Sequence, residues 1–216
     1  MAAVPMKPEY GPTLGRLLSP HWHAARRWVR MTVILGLALL AALVIGVVLT
    51  LLPSSYSQGG RLPFSLTYRG LYRTRPDPGD YVKLRALAAD GSLEYSYAVQ
   101  PLELPPYRGG VSGELPLFAT GYIRSLAATD PGFVLRGEGK TRVNTVPGYE
   151  ILYTVRMEGM EYLGRNILLT PERPGARLGV KIVMLAAADA PDKIKAASEV
   201  ASTGPLLRSV KTFSFG

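Results

Sequence analysis

The sequence predicts an α+β domain, an antiparallel β-sheet flanked by helices as an α/β/α sandwich, preceded by one transmembrane helix. Three observations carry this. Residues Met31 to Leu52 form 22 consecutive positions without a charged side chain. Beyond them, short segments alternate apolar and polar residues, the period of strands with one buried face. Between those strands lies one stretch with apolar residues three and four apart, the stripe of a helix packed on a sheet.

The apolar run is about 33 Å long as a helix, enough for a hydrocarbon core of roughly 30 Å. Arg16, Arg26, Arg27 and Arg30 precede it, while only Arg61 and Arg69 follow closely. Basic residues beside a membrane resist translocation, so residues 1–30 are expected to be a basic cytoplasmic tail and the C-terminal domain to lie outside the cytoplasm, as a single-pass plasma-membrane protein. A cleaved signal peptide would have an apolar region of about 7–15 residues, shorter than this one. Ser55-Tyr56-Ser57 loosely imitates a cleavage site and Arg26-Arg27 a twin-arginine signal, so both stand as rival readings. A lipid anchor on cysteine is excluded, because the chain has none.

The net charge of +9 divides into +4 on residues 1–30, where five basic residues oppose Glu9, and +5 on the rest, where twenty oppose fifteen. A nucleic-acid protein would gather its Lys and Arg into a stripe; here they are scattered along alternating segments, so no nucleic-acid partner is expected. The tail is broken by Pro5, Pro8, Pro12 and Pro20 and reads as disordered. In His21-Trp22-His23 two histidines are too few for a metal site, and Trp22 and Trp28 suit a membrane interface.

Residues 53–61, which include PSSYSQGG, are small, polar and rich in breakers and read as a tether, with the folded unit (62–216) beginning near Leu62. Phe64-Ser-Leu-Thr-Tyr68 and Val82-Lys-Leu-Arg-Ala86 are strands. Asp90-Gly91, followed by Leu93, Tyr95, Tyr97 and Val99, marks a β-hairpin. Pro101 to Gly113, PLELPPYRGGVSG, reads as a long surface loop.

From Glu114 to Ala128, residues Leu115, Phe118, Ala119, Tyr122, Ile123 and Leu126 draw the helical stripe, which Asp130-Pro131-Gly132 ends. Strands follow at 151–157, 163–169 and 180–184, joined by short turns around Glu158-Gly159 and Glu172–Gly175, as in an antiparallel meander. Pro191 opens a helix over 193–201 that Gly204-Pro205 closes, and an apolar segment to Phe215 completes the chain.

The chemistry of the outer domain is sparse. Both histidines lie in the tail and cysteine is absent, so a histidine base, a thiol nucleophile and a His/Cys zinc site are excluded there. Gly137-Glu-Gly139-Lys140-Thr141 resembles the end of a phosphate-binding loop. However, position 134, where the first glycine belongs, is Val134, and strand and turn follow instead of helix, so a glycine-rich hairpin explains it. Asp77 with Asp80, and Glu158 with Glu161, offer too few oxygens for calcium. Nothing calls for a cofactor. Tyr68, Tyr72, Tyr95, Tyr97, Tyr107, Tyr122, Tyr149, Tyr153 and Tyr162 read first as packing residues; the second reading places some of them on a partner surface with Pro105, Pro106, Tyr107 and Arg108.

The order of these elements is familiar. Phe64-Ser-Leu-Thr-Tyr68, the central helix, Gly148-Tyr-Glu-Ile-Leu-Tyr-Thr-Val155 with Gly164-Arg-Asn-Ile-Leu-Leu-Thr170, and the closing Leu206-Leu-Arg-Ser-Val-Lys-Thr-Phe-Ser-Phe215 resemble the PsbP-like superfamily with its DcrB- and LpqN-type bacterial members. The resemblance spans roughly residues 62–215; Arg69-Gly-Leu-Tyr72 departs from the family's usual Tyr-Pro-x-x-Trp turn, and no functional residues carry over. It implies an antiparallel sheet between helices and a non-enzymatic accessory, assembly or envelope role. The expected function is therefore a membrane-anchored extracytoplasmic binding or accessory module of the cell envelope, its partner a protein, lipid or cell-wall material. The alternatives are an envelope hydrolase working without His or Cys, and a structural subunit of a membrane complex.

Overall fold

The computed structural model describes residues 26–105, 111–173, 176–192 and 194–216. The chain divides into two units between Leu51 and Leu52. The first contains helix α1, Arg27–Leu51, of 25 residues. It starts a turn before the apolar run, so Arg27 to Arg30 of the expected tail are helical. Leu35, Leu37, Leu39, Leu40 and Leu43 are all exposed. Successive helical residues point about 100° apart, so no polar face is available to water. By length and composition α1 is able to cross a membrane.

The second unit is α+β, as expected. In chain order it contains β1 (Ser54–Gln58), β2 (Phe64–Tyr68), β3 (Tyr72–Thr74), β4 (Val82–Leu87), β5 (Leu93–Glu103), α2 (Val111–Thr129), β6 (Val134–Val143), β7 (Val146–Met157), β8 (Met160–Leu169), β9 (Leu178–Ala187), a 3-10 turn (Ala197–Glu199), α3 (Gly204–Lys211) and β10 (Ser214–Phe215). The strands form a seven-stranded sheet ordered β3-β4-β5-β9-β8-β7-β6 and a three-stranded sheet ordered β1-β2-β10, both antiparallel.

The turn residues do what their chemistry requires. In the β4–β5 hairpin Gly91 takes φ +87°, and Asp90 Oδ1 accepts the Ser92 N–H at 2.9 Å. At the β7–β8 turn Glu158 and Gly159 both have positive φ, the pattern of a tight two-residue hairpin. Asp130 Oδ1 accepts the Gly132 N–H where α2 ends.

Register assigns the side chains of the large sheet to two faces. Leu84, Tyr97, Met184 and Arg165 share one face, as do Val99, Ile182 and Ile167. This face carries the main core and is covered by the small sheet, α3 and the 3-10 turn. Phe64 of β2 stacks on Phe213 with ring centroids 5.4 Å apart and meets Tyr81 edge-on at 5.5 Å. The Thr67 N–H donates to Thr212 Oγ1 at 2.8 Å, pinning the end of α3 to β2. The opposite face carries Ile151, Tyr153, Val155 and Asn166 and receives α2, with Phe133 against the Tyr153 ring at 5.1 Å.

Four expectations are corrected. The segment read as a tether contains β1, paired along its whole length with β2 from Ser54↔Tyr68 to Gln58↔Phe64; its polar residues suit an edge strand whose outer side meets water, and Tyr56 reaches inward to donate to the Tyr81 carbonyl at 2.9 Å. The expected loop from Pro101 is shorter, because β5 runs on to Glu103 against β9. Pro101 is tolerated there because β4 pairing stops at Val99. The Val99 carbonyl faces β4, alternation aims the amide position of Pro101 the same way, and no strand there needs its missing N–H.

The helix expected over 193–201 is only the 3-10 turn. Ala196 before it is extended, Ala201 has φ +65°, and Ile194, Ala197, Val200 and Ala201 are all buried, so the segment lies flat on the sheet. Lys193 lies outside the described residues. Gly204-Pro205, expected to end that helix, instead begin α3, where proline's missing N–H costs nothing in the first turn.

One polar clamp holds the flat segment. Arg165 Nε and Nη2 donate to Glu150 Oε2 at 2.9 and 2.7 Å, while Nη1 donates to the Val200 carbonyl at 3.0 Å. Both side chains are largely shielded, so removing the cation leaves a carboxylate and a carbonyl short of donors. Arg165→Met is expected to destabilise the domain by about 2 kcal/mol, and Glu150→Gln with Arg165→Met by less than Arg165→Met alone. Thermal unfolding followed by circular dichroism checks both.

Candidate functional site

The strongest polar grouping lies on the α2 face of the large sheet, where α2 stops short of β4 and β5. Across the strands, register places Lys83 beside Ala98 and Val183, Arg85 beside Ser96 and Leu185, and Gln100 beside Lys181. The structure gathers them because alternation puts every second residue of three neighbouring strands on one side.

At the border with α2, the Tyr153 hydroxyl donates to Asn166 Oδ1 at 3.1 Å, and Asn166 Nδ2 donates to the Tyr122 hydroxyl at 3.1 Å. Asn166 is fully buried, so both ends of its amide need partners, and the two tyrosines supply them. Gly164 makes the arrangement possible: a Cβ there would stand 2.3 Å from the Tyr153 ring, which lies across β8. Lys181 Nζ sits 4.5 Å from the centre of the Tyr122 ring. Burial pushes the Lys181 ammonium below its ordinary range, and the nearby Asp80 carboxylate pulls it partly back.

Three further groups complete the shelf. Asp80 Oδ1 accepts from Gln100 Nε2 at 2.9 Å, whereas Asp80 Oδ2 is buried and, among the described residues, without a partner. Arg85 Nε is likewise buried and, among the described residues, unpartnered. Lys83 forms an ion pair with Asp77, whose carboxyl that hydrogen bond holds below the usual carboxylate range. The shelf thus presents a free acceptor, a free donor and a half-buried ammonium, a set suited to recognising a polar partner.

Its two phenols are poorly suited to proton transfer. Burial raises the Tyr122 phenol to about 12 and raises Tyr153 further, so both stay protonated near neutrality and act as hydrogen-bond donors or acceptors, not as bases. Among the described residues no lysine Nζ is hydrogen-bonded to a serine hydroxyl, the contact a serine–lysine mechanism needs.

Of the four residues expected on a partner surface, Pro105 is exposed just past β5, after Leu104 whose N–H donates to the Arg177 carbonyl at 2.8 Å. Pro106, Tyr107 and Arg108 lie outside the described residues. The tyrosines divide: Tyr95, Tyr97, Tyr153 and Tyr162 are buried packing residues, and Tyr72 is exposed. The Tyr95 hydroxyl donates to Asp192 Oδ2 at 2.7 Å. Gly137 to Thr141 belong to the β6–β7 hairpin, which turns at Asn144, as the glycine-rich pattern predicts.

No protein-family model matches the sequence, and no curated protein sequence matches it. Solved structures do resemble it in fold. LpqN of Mycobacterium tuberculosis, described as involved in cell envelope biogenesis, superposes with a TM-score of 0.51 at 11% identity, covering 76% of this chain and 91% of LpqN. Cyanobacterial PsbP from Synechocystis superposes with a TM-score of 0.51 at 16% identity, covering 76% of this chain and 92% of that one. At these identities the likeness is one of fold, and the chain has a PsbP-like fold, as the order of its elements implies.

The buried phenols set an alkaline limit on stability. Burial raises Tyr97, Tyr122 and Tyr153 above the ordinary value in the folded protein. Their contribution is complete below about pH 10, where the unfolded chain begins to ionise, and is lost as pH rises toward the folded values. Each contributes a slope of about 1.4 kcal/mol per pH unit in that window. Lys181 acts oppositely: its burial penalty fades as pH rises through its lowered value, which softens the onset. Phenolate absorbance for these three is therefore expected to appear together with loss of tertiary structure above pH 10, as one cooperative transition, instead of as a simple titration at 10.

Proposed function

We propose that this protein is a non-enzymatic binding or accessory module of the cell envelope, anchored by α1 in the plasma membrane with its N-terminus cytoplasmic and its PsbP-like domain outside. The observation that carries this is the sequence of a 25-residue helix without a polar face and, two residues later, a compact domain. Arg26, Arg27 and Arg30 before the helix favour the orientation. Two further points support the reading: the outer domain contains neither histidine nor cysteine, and it shares its fold with LpqN, whose own description places it in envelope biogenesis.

The shelf of Lys83, Arg85, Asp80 and Lys181 is one proposed partner surface and the segment Pro105, Pro106, Tyr107 and Arg108 is a second, and the partner is an envelope protein, lipid or cell-wall component. In cells, the protein is expected to resist carbonate extraction, and a C-terminal tag is expected to be digested by protease added outside intact cells lacking an outer barrier. Release by carbonate would overturn the anchored reading, and a protected tag would reverse the orientation. Photoreactive groups at Tyr107 and Arg108 are expected to capture one envelope component reproducibly. Hydrolysis of ester, peptide or glycan probes, abolished by a single substitution, would replace the accessory role with a catalytic one.

A further inference from the structure

We infer that the outer face of α3, with Arg69 beside it, is a docking surface for the anionic surface of the bilayer in which α1 is anchored; the inference rests on the anchored reading and adds a second membrane contact to it.

Three observations lead there. First, α3 is amphipathic in a specific way. Leu206, Ser209 and the following Phe213 are buried against the core, whereas Gly204, Arg208 and Lys211 are exposed and Leu207 is half-buried on the other side. Positions 204, 207, 208 and 211 are three or four residues apart, so they form one outward stripe of apolar and cationic side chains. Second, this stripe lines a groove of about 530 Å³ with Arg69, Gly70, Pro205 and Thr212. Among the described residues the lining contains three cations and no carboxylate. Asp192 stands against Gly204 at one end, but its Oδ2 already accepts the Tyr95 hydroxyl.

Third, chain connectivity ties this groove to the point where the chain leaves the membrane. Only Leu52 and Pro53 separate the end of α1 from Ser54. Ser54 is the register partner of Tyr68, which precedes the groove residues Arg69 and Gly70. Arg208 Nε also lies 3.4 Å from Thr67 Oγ1 on the same strand. The groove thus lies at the end of β2 that pairs with the first residue of β1, the strand next in sequence to α1.

Charge complementarity chooses the occupant. Cations beside a bilayer are attracted by anionic headgroups, and half-buried apolar side chains such as Pro205 and Leu207 enter the headgroup–acyl boundary. A soluble anion would use the cations and leave the apolar lining idle. A bilayer surface uses both.

The chain has no cysteine, so single labelling sites are clean. Full-length protein carrying Leu207→Cys, labelled with an environment-sensitive fluorophore, is reconstituted into nanodiscs of phosphatidylcholine alone or with phosphatidylglycerol. Ala128→Cys on α2, on the far face of the sheet, is the control. Emission from position 207 is expected to rise at least about two-fold in the anionic discs, as for a group entering the interface. It is expected to fall back in 1 M salt, where screening shortens to about 3 Å. Arg69→Gln, Arg208→Gln and Lys211→Gln combined should abolish the rise while the circular dichroism spectrum is kept.

Unchanged emission at 207 in anionic discs, in protein that withstands carbonate, would overturn this inference and leave the anchored reading standing. Equal rises in both disc types would overturn the role of the cations. A rise produced in phosphatidylcholine discs by monomeric anionic lysolipid would replace the bilayer by a single amphiphile as occupant. Extraction by carbonate would instead be the failure of the anchored reading itself.

Discussion

Leu84, Tyr97, Ile182 and Ile167 on one side of the large sheet, and Ile151, Tyr153 and Val155 on the other, make it apolar on both faces over its middle strands. Such a sheet is stable in water only if both faces are covered. On the first face the small sheet, α3 and the flat segment through the 3-10 turn share the task, and Phe64, Phe213 and Leu206 fill the space between the layers. On the second face α2 alone, among the described residues, supplies the cover. One helix is narrower than seven strands, so part of that face is left to polar and charged side chains.

That shortfall is where the candidate site arises. Over β7 and β8 the α2 face is apolar and tied by the Tyr153–Asn166–Tyr122 hydrogen bonds; over β4 and β5 it is Lys83, Arg85 and Gln100, bounded by Lys181 under the Tyr122 ring. Buried polar atoms without partners are few in stable proteins. Asp80 Oδ2 and Arg85 Nε are two of them, on the one portion of the sheet that α2 does not roof. The groups suit recognition, since the phenols stay neutral while Asp80 Oδ2 offers an acceptor and Arg85 Nε a donor. The α3 groove differs in kind: its cations surround apolar side chains, and it lies at the end of β2 that pairs with the start of β1.

How much was legible depended on whether local chemistry or distant contacts decided the outcome. The Asp90-Gly91 hairpin, the α2 stripe and the three meander strands follow from turn residues and periodicity, and they formed as the pattern required. The tether was misread because SSYSQ has no apolar alternation, and β1 forms through backbone bonds to β2 that composition does not encode. The helix over 193–201 was misread because Ile194, Ala197 and Ala201 carry a helical spacing, yet Arg165, from a strand thirty-five positions earlier, takes the Val200 carbonyl. Lys83, Arg85 and Lys181 could be read as charged residues on strands, but not as neighbours.

The sequence by itself determined the apolar helix, the α+β class, the meander and the absence of histidine and cysteine from the folded domain, because each depends on residue type or on spacing within one segment. Only the tertiary structure decided which strands sit side by side, which half of the sheet α2 leaves open, and that Arg69 joins Arg208 and Lys211 around one groove. Those outcomes depend on pairing between segments far apart in the chain, where a shift of register by one residue sends every side chain to the opposite face.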